Sequence, residues 1–520
     1  MSGALRAPVR ITTARESAAR DAAAIAAGTP SAALMQRAGE GAASIIAQRF
    51  AKRLAGGVVV LAGSGNNGGD GWIVARALAA HGVKVRVVPV GDPRTPDAAA
   101  ARVAALATKG VSVASETGDA RVVVDALLGT GAQGEPRGAV ASAIAMLAPA
   151  RAHGARIVAL DLPSGLDADT GASHHAARAD LTITFGTLKR GLAIARDIAG
   201  AIIVLDIGLG ASGDDDGAPE LVTAAWARAQ VPAIGATAHK GIRKKLAIVG
   251  GQPGMAGATI LAARAAMRSG IGMVRLVVAR ESLPVVQAAA PHATAAAWPS
   301  RDEDVRDAIT DWADAVLLGP GLGDSPASRA LAERVLGSFR APVVVDADAL
   351  NVFKGDAASL GALLTGRPAL LTPHAAECAR LLATSTEDVL ARRFEIGVEL
   401  ATLAQAAVIL KGVPTVVSDR AGVRRVCVAG TPALAAAGSG DLLAGIAATL
   451  LAQTGRAAAS GATAAWAHGR AAELACEGRS VRGVTLDHVE RALSAVWTEA
   501  VTAPRAPVLA ELSAVGEHAP

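Results

Sequence analysis

The chain has 520 residues, 51% of them apolar and 19% charged, which is enough for two to four domains with sizeable cores and excludes global disorder. A net charge of only +5, with Lys and Arg scattered among acids, no Tyr and 2% aromatics, excludes a base-stacking nucleic-acid surface. Cys378, Cys427 and Cys476 are far apart and odd in number, so they read as reduced core thiols of a cytoplasmic protein and not as a zinc site or disulfide framework.

The N-terminus carries Arg6, Arg10, Arg15 and Arg20 without an apolar core, which does not fit a secretory signal. The first half then alternates short Val/Ile/Leu runs with Ala-rich helical runs. Strands are predicted at Val58–Ala62, Val83–Val90, Val122–Ala126, Ile157–Leu160, Leu181–Phe185 and Ile202–Asp206. Continuous apolar runs of this kind predict buried parallel strands in a doubly wound α/β sheet. Ligands of such sheets sit beyond the carboxyl ends of the strands.

Three of those ends carry polar, glycine-rich turns. Gly63 to Gly71 lies between the first strand and a helical run from Trp72 to Ala80. Gly63, Gly65 and Gly68 spell a dinucleotide fingerprint, with Asp92 ending the next strand-like run. Asn66, Asn67 and Asp70 do not belong to that fingerprint. Their side-chain oxygens suit a cation or ribose hydroxyls. Asp125 runs into Gly129-Thr130-Gly131, and Asp161 into Leu162-Pro163-Ser164-Gly165. Asn67, Asp125 and Ser164 offer hard oxygen ligands for an alkali or alkaline-earth cation.

With Leu34-Met35-Gln36-Arg37-Ala38-Gly39 ahead of them, these motifs make residues 10–210 resemble the NAD(P)H-hydrate epimerase domains of YjeF N-terminal type. Four separated motifs occur in order, and Gln36, where Glu is usual, lies outside the pocket motifs. The resemblance implies a Rossmann-like domain that interconverts the R and S epimers of hydrated NAD(P)H. It implies that the hydrate is held by Asn66, Asn67, Gly68, Gly69 and Asp70 and by Gly129, Thr130, Gly131, Ala132, Gln133, Gly134 and Glu135. Asp161 contacts it, and Asn67, Asp125 and Ser164 bind potassium. Epimerisation at C6 needs loss and return of hydroxide, or ring opening. Either route needs a positioned acid/base, for which Asp161 is the candidate. A dehydrogenase reading leaves the Asn-Asn-Gly-Gly-Asp segment unexplained and finds no hydride-transfer constellation.

Gly210 to Gly217 is polar, acidic and glycine-rich, and marks the boundary between two unrelated halves. The pattern then restarts. Arg243-Lys244-Lys245 reads as a solvated strand edge, with a role near substrate phosphates as the alternative. Strands are predicted at Leu246–Val249, Met273–Val278, Ala315–Leu318, Val343–Asp346, Ala369–Thr372, Val408–Lys411 and Thr415–Ser418. Helices are predicted at Met255–Ser269, Glu387–Gln405 and Asp441–Ala452. The longest charge-free stretch, Ser282 to Ser300, contains three prolines and does not read as a membrane span.

Ala437-Gly438-Ser439-Gly440-Asp441 opens an apolar helical run, as an anion hole would. Asp441 there is placed to deprotonate a hydroxyl aimed at a phosphoryl group. Lys411 ends a strand and can neutralise phosphate charge. Gly250–Ala258 and Gly319–Gly323 are further glycine turns, and Asp346, Asp348, His374 and Glu377 add polar groups at strand ends.

Together with His239-Lys240-Gly241, these motifs make residues 225–502 resemble the ribokinase-like, ADP-dependent NAD(P)H-hydrate dehydratases of YjeF C-terminal type. The resemblance implies hydrate contacts from Ala258, Gly323, His374 and Asp441. It implies nucleotide contacts from Lys411, Gly412, Val413, Pro414, Thr415 and Gly440. The chain departs from the pattern at Arg243-Lys244-Lys245, at Ala375-Ala376 after His374, and at Ala436, where Thr is often found. The last departure puts a hydroxyl contact at the anion hole in doubt.

The reading is a bifunctional repair enzyme: an epimerase domain at 1–215, a linker at 216–224, a dehydratase domain at 225–503 and a flexible tail at 504–520. It epimerises R and S hydrates and dehydrates the S epimer with ADP, giving NAD(P)H, AMP and phosphate. Potassium in the first domain, magnesium with ADP in the second, self-association, and no nucleic-acid or membrane partner are expected. The alternatives are a ribokinase-like small-molecule kinase and an N-terminal domain that only binds or dimerises.

Overall fold

The computed structural model describes residues 8–209, 217–500 and 504–515. The chain divides into two compact units, Met1–Ala218 with Ala503–Pro520, and Pro219–Thr502. Most of the glycine-rich boundary, residues 210–216, lies outside the described residues. No helix among the described residues is long and apolar enough to cross a membrane.

The first unit is built on an eight-stranded sheet. Its order is Val508–Leu512, Ala201–Leu205, Leu181–Phe185, Arg156–Leu160, Val122–Ala126, Val58–Ala62, Val85–Pro89 and Val111–Val113. Every pairing is parallel except that of Val508–Leu512 with Ala201–Leu205. Alternate residues of each strand face opposite helical layers. Val58, Val60 and Ala62 pack with helices Ser31–Arg49 and Asn66–Ala80, while Val59 and Leu61 pack with Gly138–Ala145 and Leu147–Ala152. From Val58–Ala62 the chain adds strands first on one side and then, from Val122–Ala126, on the other. The switch point therefore lies between those two strands, and Gly63 N–H bonds Ala126 O at 3.0 Å across it.

The second unit holds a ten-stranded sheet. Its order is Glu220–Leu221, Arg424–Cys427, Thr415–Ser418, Ala407–Leu410, Ala369–Leu371, Val343–Val345, Ala315–Leu318, Lys245–Val249, Met273–Val278 and Thr294–Ala297. Only Thr415–Ser418 runs antiparallel to its neighbours. Leu246 and Ile248 face helices Ala256–Arg268, Ser439–Thr454, Ala457–Cys476 and Leu486–Thr498. Ala247 and Val249 face Pro326–Ser338, Ala357–Leu364 and Ile396–Leu403. The switch point falls between Lys245–Val249 and Ala315–Leu318, where Gly251 N–H bonds Pro320 O at 2.9 Å. Helices Ala256–Arg268 and Ser439–Thr454 cross closely, since a Cβ on Gly445 would lie 2.2 Å from Ala262 O.

Three expectations are corrected. The tail is not loose along its length: Val508–Leu512 supplies an edge strand, Ala510 is 3% exposed, and Glu511 pairs with Arg49. Bonding to a sheet edge outweighs the freedom its prolines suggested. The linker is shorter than 216–224, because Glu220–Leu221 pairs with Arg424–Cys427 and Thr223 caps the helix Ala224–Gln230. Burial of Leu221 and Val222 accounts for this. Arg243-Lys244-Lys245 is no sheet edge. It opens a central strand at the end opposite Gly250, with Lys245 N–H bonded to the Asp314 carboxylate at 2.9 Å.

Candidate active sites

In the first unit the helix expected from Trp72 begins at Asn66, with Gly65 as its N-cap in extended backbone. Asn66 to Asp70 are therefore the helix's first turn, not a loop. The first N–H groups of a helix have no intrahelical partner, so this turn keeps the anion-binding property expected of it. The glycines let the helix seat on the strand ends. A Cβ on Gly63 would meet Leu127 O at 2.0 Å, and one on Gly68 would meet Gly63 O at 1.9 Å. Asp92 of the literal fingerprint pairs instead with Arg102 on the surface. Gln36 accepts a bond from Arg76 at 2.8 Å.

Asn67 and Ser164 converge on Leu128, and Asp125 is bonded to Ser164 and to Leu127 N–H. Asn67 Nδ2 donates to Leu128 O at 2.8 Å, and Leu128 N–H donates to Ser164 Oγ at 3.0 Å. Ser164 donates to Asp125 twice, from Oγ at 2.6 Å and from N–H at 2.8 Å. Asn67 Oδ1 is buried and has no hydrogen-bond partner. Burial raises the carboxyl pKa of Asp125, and the bonds from Ser164 and Leu127 only partly offset this. An orphaned carbonyl oxygen and a buried carboxylate, both on residues bonded to the Leu127–Leu128 segment, are a donor set for a cation.

Asp161 ends the strand Arg156–Leu160 with a left-handed φ of 64°. Its Oδ2 accepts Thr130 N–H at 3.1 Å, which ties it to the Gly129–Gly131 turn. Its Oδ1 lies 2.7 Å from Lys189 Nζ and accepts Thr184 Oγ1 at 3.3 Å. Sequence reasoning missed Lys189. With Arg190 directly after it, Lys189 gives no sign in the sequence that it is buried. Asp70 and Asp21 stand close to this pair. Burial, then the charge of Asp161, raises the pKa of Asp70 well above the carboxyl range. Burial also raises that of Asp21, where Lys189 opposes it. Gly131 to Glu135 are exposed, and Glu135 pairs with His175 at 3.3 Å. Gly129, Ala132 and Gly134 line a small cavity with Leu162 and Pro163.

In the second unit Gly438, at φ 91°, caps the helix Ser439–Thr454, and Asp441 stands in its first turn. Lys411 Nζ bonds Asp346 Oδ1 at 3.1 Å and lies 3.6 Å from Glu377 Oε2. Thr372 Oγ1 donates to the same Asp346 oxygen at 2.5 Å. A Cβ on Gly440 would be 3.4 Å from Lys411 Nζ, so the anion-hole turn and the ammonium adjoin. Burial, then the charges of Asp346 and Asp348, raises Asp441 to about 7 despite Lys411. Burial pulls Lys411 down, but Asp346, Glu377 and Asp441 outweigh it and raise its pKa.

His374 caps the helix Ala375–Leu382, its Nδ1 accepting from Ala376 and Glu377 N–H. Those bonds put the neutral ring's proton on Nε2, which lies 3.3 Å from Glu377 Oε1. Burial, with Lys411 and Arg380, lowers its pKa against the pull of Glu377. Lys411 N–H bonds Pro373 O at 2.8 Å, which brings the two strand ends together. Gly323 N–H bonds Asp348 at 2.8 Å, and Asp348 adds to the charge felt by Asp441. Ala258 lies in the first turn of Ala256–Arg268. Gly412 and Val413 are exposed on the turn beyond Lys411, with Pro414 buried and Thr415 Oγ1 donating back to Gly412 O at 3.1 Å. Beneath the anion hole, Ser439 Oγ lies 3.3 Å from Nε2 of His468, whose pKa burial lowers to about 4.

A family model described as YjeF-related protein N-terminus matches residues 31–191, and one described as NAD(P)H-hydrate dehydratase matches residues 246–495. The bifunctional NAD(P)H-hydrate repair enzyme of Moorella thermoacetica is 35% identical over 88% of this chain and 90% of its own length. That of Escherichia coli is 35% identical over 90% of each. The ADP/ATP-dependent NAD(P)H-hydrate dehydratase of Bacillus subtilis, co-crystallised with ATP/Mg2+, is 27% identical over 53% of this chain and 96% of its own, with a TM-score of 0.47.

Proposed function

The chain belongs to the bifunctional NAD(P)H-hydrate repair enzymes, which join an epimerase domain to a dehydratase domain, and from that premise we propose how its residues divide the work. In the first unit the turn Asn66–Asp70 and the segment Gly129–Glu135 bind the hydrate. Asp161 moves the proton at the C6 oxygen, whether hydroxide departs and returns or the ring opens and closes. The orphaned Asn67 Oδ1 and the buried Asp125 fit potassium, with Ser164 as third ligand. When bound, the ion offsets the buried charge of Asp125 and adds positive potential beside the hydrate.

In the second unit Asp441 takes the proton of the C6 hydroxyl of the S hydrate. The hydroxyl oxygen bonds to the β-phosphorus of ADP, and the bond to the bridging oxygen breaks, releasing AMP. The C6–O bond of the phosphate ester then breaks, phosphate leaves, and loss of a C5 proton restores the ring double bond. Phosphorylation turns hydroxide, a poor leaving group, into a good one. Lys411 and the N–H groups around Gly440 hold the nucleotide's phosphates. Ala258, Gly323 and His374 hold the hydrate. Asp346, Glu377 and Asp441 act on the ammonium of Lys411, and Asp348 acts on Asp441, a surplus of negative charge that suits magnesium carried by the nucleotide. Magnesium neutralises phosphate charge when bound.

The meeting of Asp441, Lys411 and Gly440 at one helix N-terminus carries this reading. S hydrate and ADP, supplied to the full chain, should yield AMP and phosphate in equal amounts with the NAD(P)H formed. NAD(P)H formed without AMP would refute it. We place the enzyme in the cytoplasm, where its three free thiols stay reduced, and as a homo-oligomer, which sedimentation tests.

A further inference from the structure

We infer that Lys189 is a positioning residue for epimerisation: its buried ammonium holds one oxygen of Asp161 so that the other moves the substrate proton. The inference rests on the reading of Asp161 as the acid/base.

Lys189 is 2% exposed. Removing an ammonium from water is unfavourable unless partners replace the lost hydration. Its partners are Thr184 Oγ1 at 3.0 Å, Phe185 O at 2.9 Å, Thr187 O at 3.4 Å and Asp161 Oδ1 at 2.7 Å. The contact to Asp161 is the shortest. A lysine serving only the carbonyls of its own turn would not need it.

The two oxygens of Asp161 are used unequally. Oδ1 takes both Lys189 and Thr184, while Oδ2 takes one backbone N–H from Thr130. A carboxylate oxygen has room for two partners, so Oδ2 keeps a place for a substrate proton. The left-handed backbone of Asp161 fixes where the side chain starts, and Lys189 fixes how it is turned.

Lys189 is itself held from outside the family-matched segment. Leu188–Lys189 pairs with Ile11–Thr12, and Thr12 Oγ1 bonds Thr187 Oγ1 at 2.8 Å. The helix that follows, Ala14–Ala26, carries Asp21 to the same cluster. Asp70 approaches from Asn66–Ala80, so three carboxyls on three elements face this ammonium. Such a shell is what holds a reacting group to a fraction of an ångström.

The test uses the full chain, with S-hydrate dehydration as an internal reference. In Lys189→Met, which keeps length and removes charge, kcat for R-to-S epimerisation should fall by at least ~100-fold with KM within ~3-fold, since small misplacements of a reacting group cost that much. Lys189→Arg keeps the charge with altered geometry and should fall by only ~10-fold. Full kcat in Lys189→Met, or a loss carried by KM or by a lowered melting temperature alone, overturns the inference. Should Lys189→Met not fold, undiminished kcat in Lys189→Arg overturns it. A dead Asp161→Asn beside a fully active Lys189→Met refutes only the role of Lys189. A fully active Asp161→Asn refutes the reading beneath it.

Discussion

Replacement of Asp441 by Asn should abolish dehydration and stabilise the second unit at alkaline pH. Burial, Asp346 and Asp348 lift this carboxyl from 3.8 to about 7, against the attraction of Lys411. A rise of that size corresponds to about 4 kcal/mol of disfavoured ionisation, an upper bound because the structure relaxes around the charge. The folded state therefore holds the proton more tightly than the unfolded one. Stability from this group is fully present below pH 3.8 and is lost as pH rises to about 7. Asn has nearly the same shape and no charge, so the variant escapes that loss. Its melting temperature should exceed the parent's by several degrees at pH 8 and match it near pH 4, by calorimetry. Dehydration by the parent should decline as pH falls through about 7 while Asp441 takes up its proton. Full dehydratase activity in Asp441→Asn, or a melting-temperature difference that does not change with pH, would refute the account of this carboxyl.

Asp161→Asn should lower epimerisation by ~100-fold or more and leave S-hydrate dehydration unchanged, measured with separated epimers. Epimerisation should fall when potassium is exchanged for a bulky organic cation, and Asn67→Leu should weaken its recovery on adding potassium back, with ion binding read by thallium substitution and calorimetry. Gly68→Ala should eliminate epimerisation and lower the first transition in thermal unfolding, because its Cβ would stand 1.9 Å from Gly63 O. Truncation after Thr502 removes the edge strand Val508–Leu512 and bares Ala201–Leu205. It should destabilise the first unit and promote aggregation, seen by light scattering, with dehydration retained.

The strands nearest the two sites are legible in the sequence because parallel strands covered on both faces read as unbroken apolar runs. Val58–Ala62, Val122–Ala126 and Ala315–Leu318 fall where the pattern puts them. The edges escape it. Thr294–Ala297 is mostly alanine, Glu220–Leu221 is only two residues, and Val508–Leu512 follows prolines. Each is a strand through pairing with a distant neighbour. Asn66–Asp70 look unhelical by propensity, yet close seating of Gly68 on Gly63 makes them a first turn. The strand-end acids Asp125 and Asp161, and Asp441 in the first turn of its helix, announce themselves by their glycine turns. What holds them does not, since Lys189 meets Asp161, and Lys411 meets Asp346, only once the sheets bring separate strand ends together.

One chain should recover both epimers of a damaged nicotinamide dinucleotide. The most direct measurement follows the reduced-nicotinamide band as an equal mixture of R and S hydrates is incubated with ADP, magnesium, potassium and the full chain. Recovery should run to completion, while Asp161→Asn should follow a fast phase that stops at the S fraction. Recovery by the parent that halts at the S fraction, or that proceeds without ADP, would contradict the account.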